Sequence, residues 1–160
     1  MELAQINIGR LRYPLEAPEA GEFVAALAPV NALADAAPGF VWRLATADGD
    51  ATAIRAFDDD RVIVNLSVWR SLEALRAFVY GDGHVHVLRR RLDWFERPSG
   101  PHTALWWVPV GTRPDAADGR LRLERLAAEG PAPAAFTFQR GFDQAGLPLA
   151  RAAGEGRRAR

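Results

Sequence analysis

Asn65, Ser67 and Trp69 occupy alternate positions of an otherwise apolar run over residues 62–69. Side chains alternate along a strand, so Ile63 shares their face while Val62, Val64, Leu66 and Val68 point the other way. An amide and a hydroxyl on a buried strand need hydrogen-bond partners, and protein, water or a ligand can supply them. Asn7 sits on an earlier alternating run over residues 3–10. If the two strands are sheet neighbours, Asn7 and Asn65 lie side by side. They then either orient a substrate carbonyl or phenol, or bond to each other in the core or at a dimer seam. His84 recurs at helical spacing with Leu88 and Leu92. With an ordinary pKa of about 6.5, it is either a general base or a buried histidine bonded to backbone near Gly81 and Gly83. Tyr80 is a second group able to move a proton.

Other chemistries are excluded. There is no cysteine, hence no thiolate nucleophile, disulfide or cysteine zinc site. Lysine is absent too, since all 20 basic residues are arginine, which removes Schiff-base and lysine-base mechanisms. His84 and His86 diverge on a helix, and His102 lies in a loop, so the histidines form no metal motif. Asp48, Asp50 and residues 58–60 miss the spacing of a calcium loop and read as a solvated connection. The run Arg89, Arg90, Arg91 reads as a solvated face, with an anionic ligand as the minor alternative. No phosphate loop, dinucleotide fingerprint or Ser-His-Asp arrangement is visible. The expectation is no metal and no organic cofactor.

The elements that must position these groups are short. The 160 residues fit one domain, and the formal net charge of zero argues against a nucleic-acid binder. No signal peptide or membrane-length apolar run is present, which fits a cytoplasmic protein. The arginine, alanine, glycine and proline bias is that of a high-GC bacterial genome. Strands are predicted over 3–10, 40–45, 62–69 and 103–110, with Phe40, Trp42 and Leu44 sharing a face. A helix over 19–37 contains Pro29, which should kink or split it. Ser71 caps a helix through Tyr80, Asp82 a second one to about Phe95, and a further helix covers 115–129. Short extra strands are expected near 54–57 and 134–138. The domain ends at 138, and 139–160 reads as a flexible Arg/Gly-rich tail. The order is βαββαβ, the ferredoxin-like α+β motif: one antiparallel sheet with helices on one face. Its other face is left bare, and a homodimer is the expected cover.

The segment Asn65-Leu66-Ser67-Val68-Trp69-Arg70-Ser71-Leu72-Glu73-Ala74-Leu75 resembles the strand-to-helix signature of dimeric α/β-barrel proteins. These include the antibiotic-biosynthesis monooxygenases and their haem-degrading relatives. Phe78-Val79-Tyr80, His84-Val85, Arg89-Arg90-Arg91 and Trp94-Phe95 are similar to an uncharacterised bacterial family of that superfamily. So are Pro38-Gly39-Phe40-Val41-Trp42-Arg43 and Asp48-Gly49-Asp50-Ala51-Thr52, so that the likeness spans residues 3–138. The monooxygenases oxidise aromatic polyketides without metal or organic cofactor, using an Asn and a Trp like Asn65 and Trp69. The haem-degrading members use a first-strand Asn, as Asn7 would be, with a helix Trp and an iron-ligating His about ten residues later. Those last two positions fall on Phe78 and Leu88, so the ligand is missing at its place, with His84 a shifted substitute.

The resemblance implies a small-molecule enzyme or binder, monooxygenase-like, acting on an aromatic or quinone-type metabolite. Asn65 and Trp69 would orient it and His84 or Tyr80 would move a proton. Asn7, Trp42, Phe78, Leu88 and Trp106 would line the pocket, between sheet and helices. Trp69, Trp94, Trp106 and Trp107 either shape that pocket or fill core and dimer interface. The alternatives are a non-catalytic ligand-binding or structural dimer and, more weakly, a haem-binding protein.

Overall fold

The computed structural model describes residues 1–81 and 90–150. Four strands form one antiparallel sheet: β1 (Glu2–Arg10), β2 (Phe40–Arg43), β3 (Val62–Trp69) and β4 (Thr103–Val108). Their order is β2-β3-β1-β4, the ferredoxin-like arrangement expected from βαββαβ. β1 and β3 are the central neighbours, and their register sets Asn7 opposite Asn65 and Gln5 opposite Ser67.

On one face lie α1 (Gly21–Asp35), α2 (Leu72–Val79) and the single turn α3 (Arg91–Trp94). Ser71 caps α2 by accepting from the Ala74 amide at 3.1 Å, as its position predicts. α1 is one helix through Pro29, so of the expected kink or split the split does not occur. Pro29 and Ala25 are both exposed, so the carbonyl that loses its donor there is open to water. Among the described residues 51–57 no extra strand forms. Ala56 and Phe57 instead pack as irregular chain on the second sheet face. The expected strand near 134–138 reduces to isolated bridges, Leu105 with Phe136 and Ala132 with Ala135.

The second face is not bare. α4 (Ala116–Glu129), capped by a reciprocal Asp115–Asp118 box, lays Leu123 and Leu126 on it. Ala4, Ile6, Leu66, Val68 and Ala104 beneath are fully buried within the chain. Gly119 permits this contact, since a Cβ there would sit 2.4 Å from Ile6 Cδ1. Residues 139–150, expected to open a flexible tail, are instead tied to the domain. Trp107 Nε1 donates to the Phe142 carbonyl at 2.8 Å, and Leu149 N to Gly141 at 2.9 Å. Residues 139–150 thus belong to the packed structure.

β2 carries a register shift between Phe40 and Trp42. Phe40 opposes Trp69, Trp42 opposes Val68 and Arg43 opposes Ser67. A bulge inserts one residue and changes which side chains reach each face. Phe40 and Trp42, predicted to share a face, therefore pack in different clusters.

Candidate functional site: a cleft between α1 and the sheet

Only Phe23 is buried along α1. Leu27 and Val30 sit on the same helix face but meet a cleft instead of closed packing. The cleft has a volume of about 160 Å³ and lies between α1 and the β1–β3 centre of the sheet. Its apolar wall is Phe23, Leu27, Val30, Ile63, Trp94 and Phe95. Its polar groups are Asn7, Asn65, Asn31, Arg43, Asp50, Thr52 and Arg91.

Each wall has a local cause. Phe95 lies against the sheet because Gly9 carries no side chain, and a Cβ there would come 2.6 Å from its ring. Phe95 then meets Phe23 edge-on, with ring centroids 5.1 Å apart. The β2 bulge turns Arg43 toward the cleft, where Asp35 grips it through Nε at 2.8 Å and Nη2 at 3.2 Å. Asp50 is occupied locally, accepting from the Thr52 amide at 2.8 Å and its hydroxyl at 2.6 Å.

Asn7 and Asn65 meet as expected, and both line the cleft. Neither side chain has a hydrogen-bond partner among the described residues, and they do not bond to each other; Asn65 is exposed in mid-strand. Two residues along the same face, the polar groups are closed off. Trp69 Nε1 donates to Ser67 Oγ at 2.9 Å, which donates to Gln5 Oε1 at 3.1 Å, all buried.

The other expected site residues lie elsewhere. Trp69 is in the core, stacked on Phe78 at 5.1 Å and edge-on to Phe40. Tyr80 is 52% exposed and meets Phe138. Trp42 and Trp106 belong to the opposite sheet face, under Arg113 and Arg122 respectively. His84 and Leu88 lie outside the described residues.

Arg91 is the group that sequence reasoning misplaced. It is half-buried at the cleft rather than on a solvated face, and Nη2 donates to the Ile8 carbonyl at 3.2 Å. Burial lowers its pKa from the ordinary arginine value. His102 sits nearby, its pKa lowered first by burial and then by the Arg91 charge, against a raising bond to the Gly100 carbonyl. Among the described residues, no group of three His, Cys, Asp or Glu could hold a metal ion. Nor is any helix there long and apolar enough to cross a membrane.

The family model described as "Domain of unknown function (DUF3291)" matches residues 2–152. The chain belongs to this family. The DUF3291 match takes in α4 and the packed turn over 139–150, beyond the βαββαβ core. The DUF3291 chain is similar to the solved structure of SnoaB, a cofactor-independent oxygenase from Streptomyces nogalater, at 20% identity. That alignment covers 71% of this chain and 98% of SnoaB, with a TM-score of 0.48. A protein of unknown function from Nitrosomonas europaea, NE2512, is 14% identical over 71% of this chain and 95% of its own, at 0.48. A protein of Chloroflexus aurantiacus J-10-fl, described as of the antibiotic-biosynthesis monooxygenase type, is 18% identical over 71% and 98%, at 0.45. No curated protein matches significantly.

Proposed function

We propose that this DUF3291 protein binds a small aromatic or quinone-type metabolite in the cleft and acts on it as a cofactor-independent monooxygenase does. One observation carries the reading. On a sheet face where Gln5, Ser67 and Trp69 satisfy one another, Asn7 and Asn65 have no side-chain partner among the described residues and line the cleft. Paired amide donors suit a carbonyl or phenolic oxygen, and the ring edges of Phe23, Trp94 and Phe95 suit a flat apolar body. Oxygenation without a cofactor needs an electron-rich, deprotonated substrate. Amide donors and a nearby guanidinium lower the cost of such an anion.

Binding without turnover is the second reading, and one observation favours it. Among the described cleft residues the titratable groups are Arg43, Asp50 and Arg91, and Asp50 is already engaged by Thr52. Two of the three are thus guanidiniums, and the third is a carboxylate that already accepts two hydrogen bonds.

Trp94 lines the cleft, so its fluorescence reports occupancy. Titration with a hydroxynaphthoquinone should quench it saturably. Asn65→Leu and Asn7→Leu should each weaken binding about fivefold to tenfold, the loss of one hydrogen bond. Equal affinity in both variants and the wild type would sink the proposal. Oxygen uptake with a naphthalenediol separates the readings: turnover supports oxygenation, and binding without uptake supports the second.

A further inference from the structure

We infer that the cleft's ligand carries an anionic group, a carboxylate on an aromatic ring, and that Arg91 holds it. This rests on the cleft being a ligand site, as proposed above, and adds the ligand's charge. Arg91 differs from the other arginines around it. Arg43 is gripped by Asp35, Arg90 by Glu22 and Asp93, and Arg10 by Asp59 and Glu96. Among the described residues Arg91 has no carboxylate partner, and its guanidinium donates to a neutral carbonyl, that of Ile8. Among the described residues the one carboxylate lining the cleft, Asp50, already takes two bonds from Thr52. With Arg43 offset by Asp35, the charge left without a counter-ion among the described cleft residues is that of Arg91.

A guanidinium half-withdrawn from water with nothing opposite is unfavourable. A carboxylate offsets that cost, because its two oxygens match the planar fork of donors. The direction of the Arg91 pKa agrees, being set by burial alone. The position fits as well. The bond to the Ile8 carbonyl ties the guanidinium to β1 one residue after Asn7, and both Arg91 and Asn7 line the cleft. Trp94 and Phe95, three and four residues after Arg91, form part of the apolar wall. A ring carrying a carboxylate and an adjacent hydroxyl would thus lie on that wall, with the carboxylate on Arg91 and the hydroxyl toward Asn7 and Asn65.

The test compares hydroxynaphthoate with its methyl ester by calorimetry on the full chain. The wild type should prefer the acid about tenfold or more, and added salt should erode that preference. Arg91→Met should abolish the preference while leaving the ester's affinity in place, and Arg91→Lys should keep part of it. The preference is a ratio measured on one protein, so partial unfolding of a variant cancels. Equal binding of acid and ester by the wild type, or a preference surviving in Arg91→Met, overturns the inference and leaves the cleft reading standing. Binding of neither probe overturns both.

Discussion

Asn65 and Ser67 are two residues apart on one face of β3 and meet opposite fates. Ser67 is held between Trp69 and Gln5, and Asn65 opens to the cleft. Their substitutions should therefore diverge. Ser67→Ala strands a buried indole N–H and a buried amide oxygen, and should cost about 1–3 kcal/mol by urea denaturation without altering ligand affinity. Asn65→Leu removes no internal bond and should change stability by less than about 0.5 kcal/mol while weakening the ligand. Similar destabilisation by both would mean that Asn65 is structural. His102 gives a pH signature at the same scale. Its folded pKa lies below the unfolded value of about 6.5. The unfolded state then binds the proton more readily, so its contribution is complete above that value and is lost as pH falls toward the folded pKa. Arg91→Met removes the adjacent positive charge and should raise the His102 pKa in an NMR titration. A downward move would contradict the causes given.

Among the elements, the alternating strands were legible and the irregular ones were not. Residues 3–10 and 62–69 alternate cleanly, and the strand order that follows sets Asn7 against Asn65. The β2 bulge carries no comparable mark. It reverses the faces of Trp42 and Arg43, removing one expected pocket residue and supplying an unexpected one. Asn31 had a faint signal, a polar residue four beyond Leu27 on the apolar side of α1. Arg91 had only the minor reading of an anionic ligand for its run, because three successive arginines do not show which one turns inward. Gly119 tests how closely α4 approaches the sheet. In an exposed helix, Gly→Ala gains about 1 kcal/mol. Here the new methyl would lie 2.4 Å from Ile6 Cδ1 and 3.3 Å from Ile6 Cβ. Overpacking of this kind costs about 1–3 kcal/mol, so Gly119→Ala should destabilise on balance. Adding Ile6→Val removes the nearest atom and should recover part of the loss. Strict additivity of the two changes would show that they do not meet.

For the whole molecule, the consequence lies in how the second sheet face is covered. Read as a bare layer, it called for a second copy of the chain. The structure covers it from within, with α4 and the connection carrying Ala56 and Phe57. The sequence contained that helix, but its amphipathic face does not reveal whether it packs on its own sheet or elsewhere. The part of this face over Ile6, Leu66 and Ala104 is thus already occupied within one chain. Leu126 separates the two arrangements. It is 6% exposed and packs in the cluster that contains Ile6, Leu66 and Ala104. In a subunit interface, Leu126→Asp would dissociate the oligomer and leave folded protomers, with melting temperature dependent on protein concentration. As a layer of the fold, it forces a carboxylate into the core and removes a buried leucine, for a loss of about 3–5 kcal/mol. Melting should then fall sharply, by the same amount at every protein concentration. A well-folded Leu126→Asp protein that sediments as a smaller species than the wild type would return the second face to the dimer.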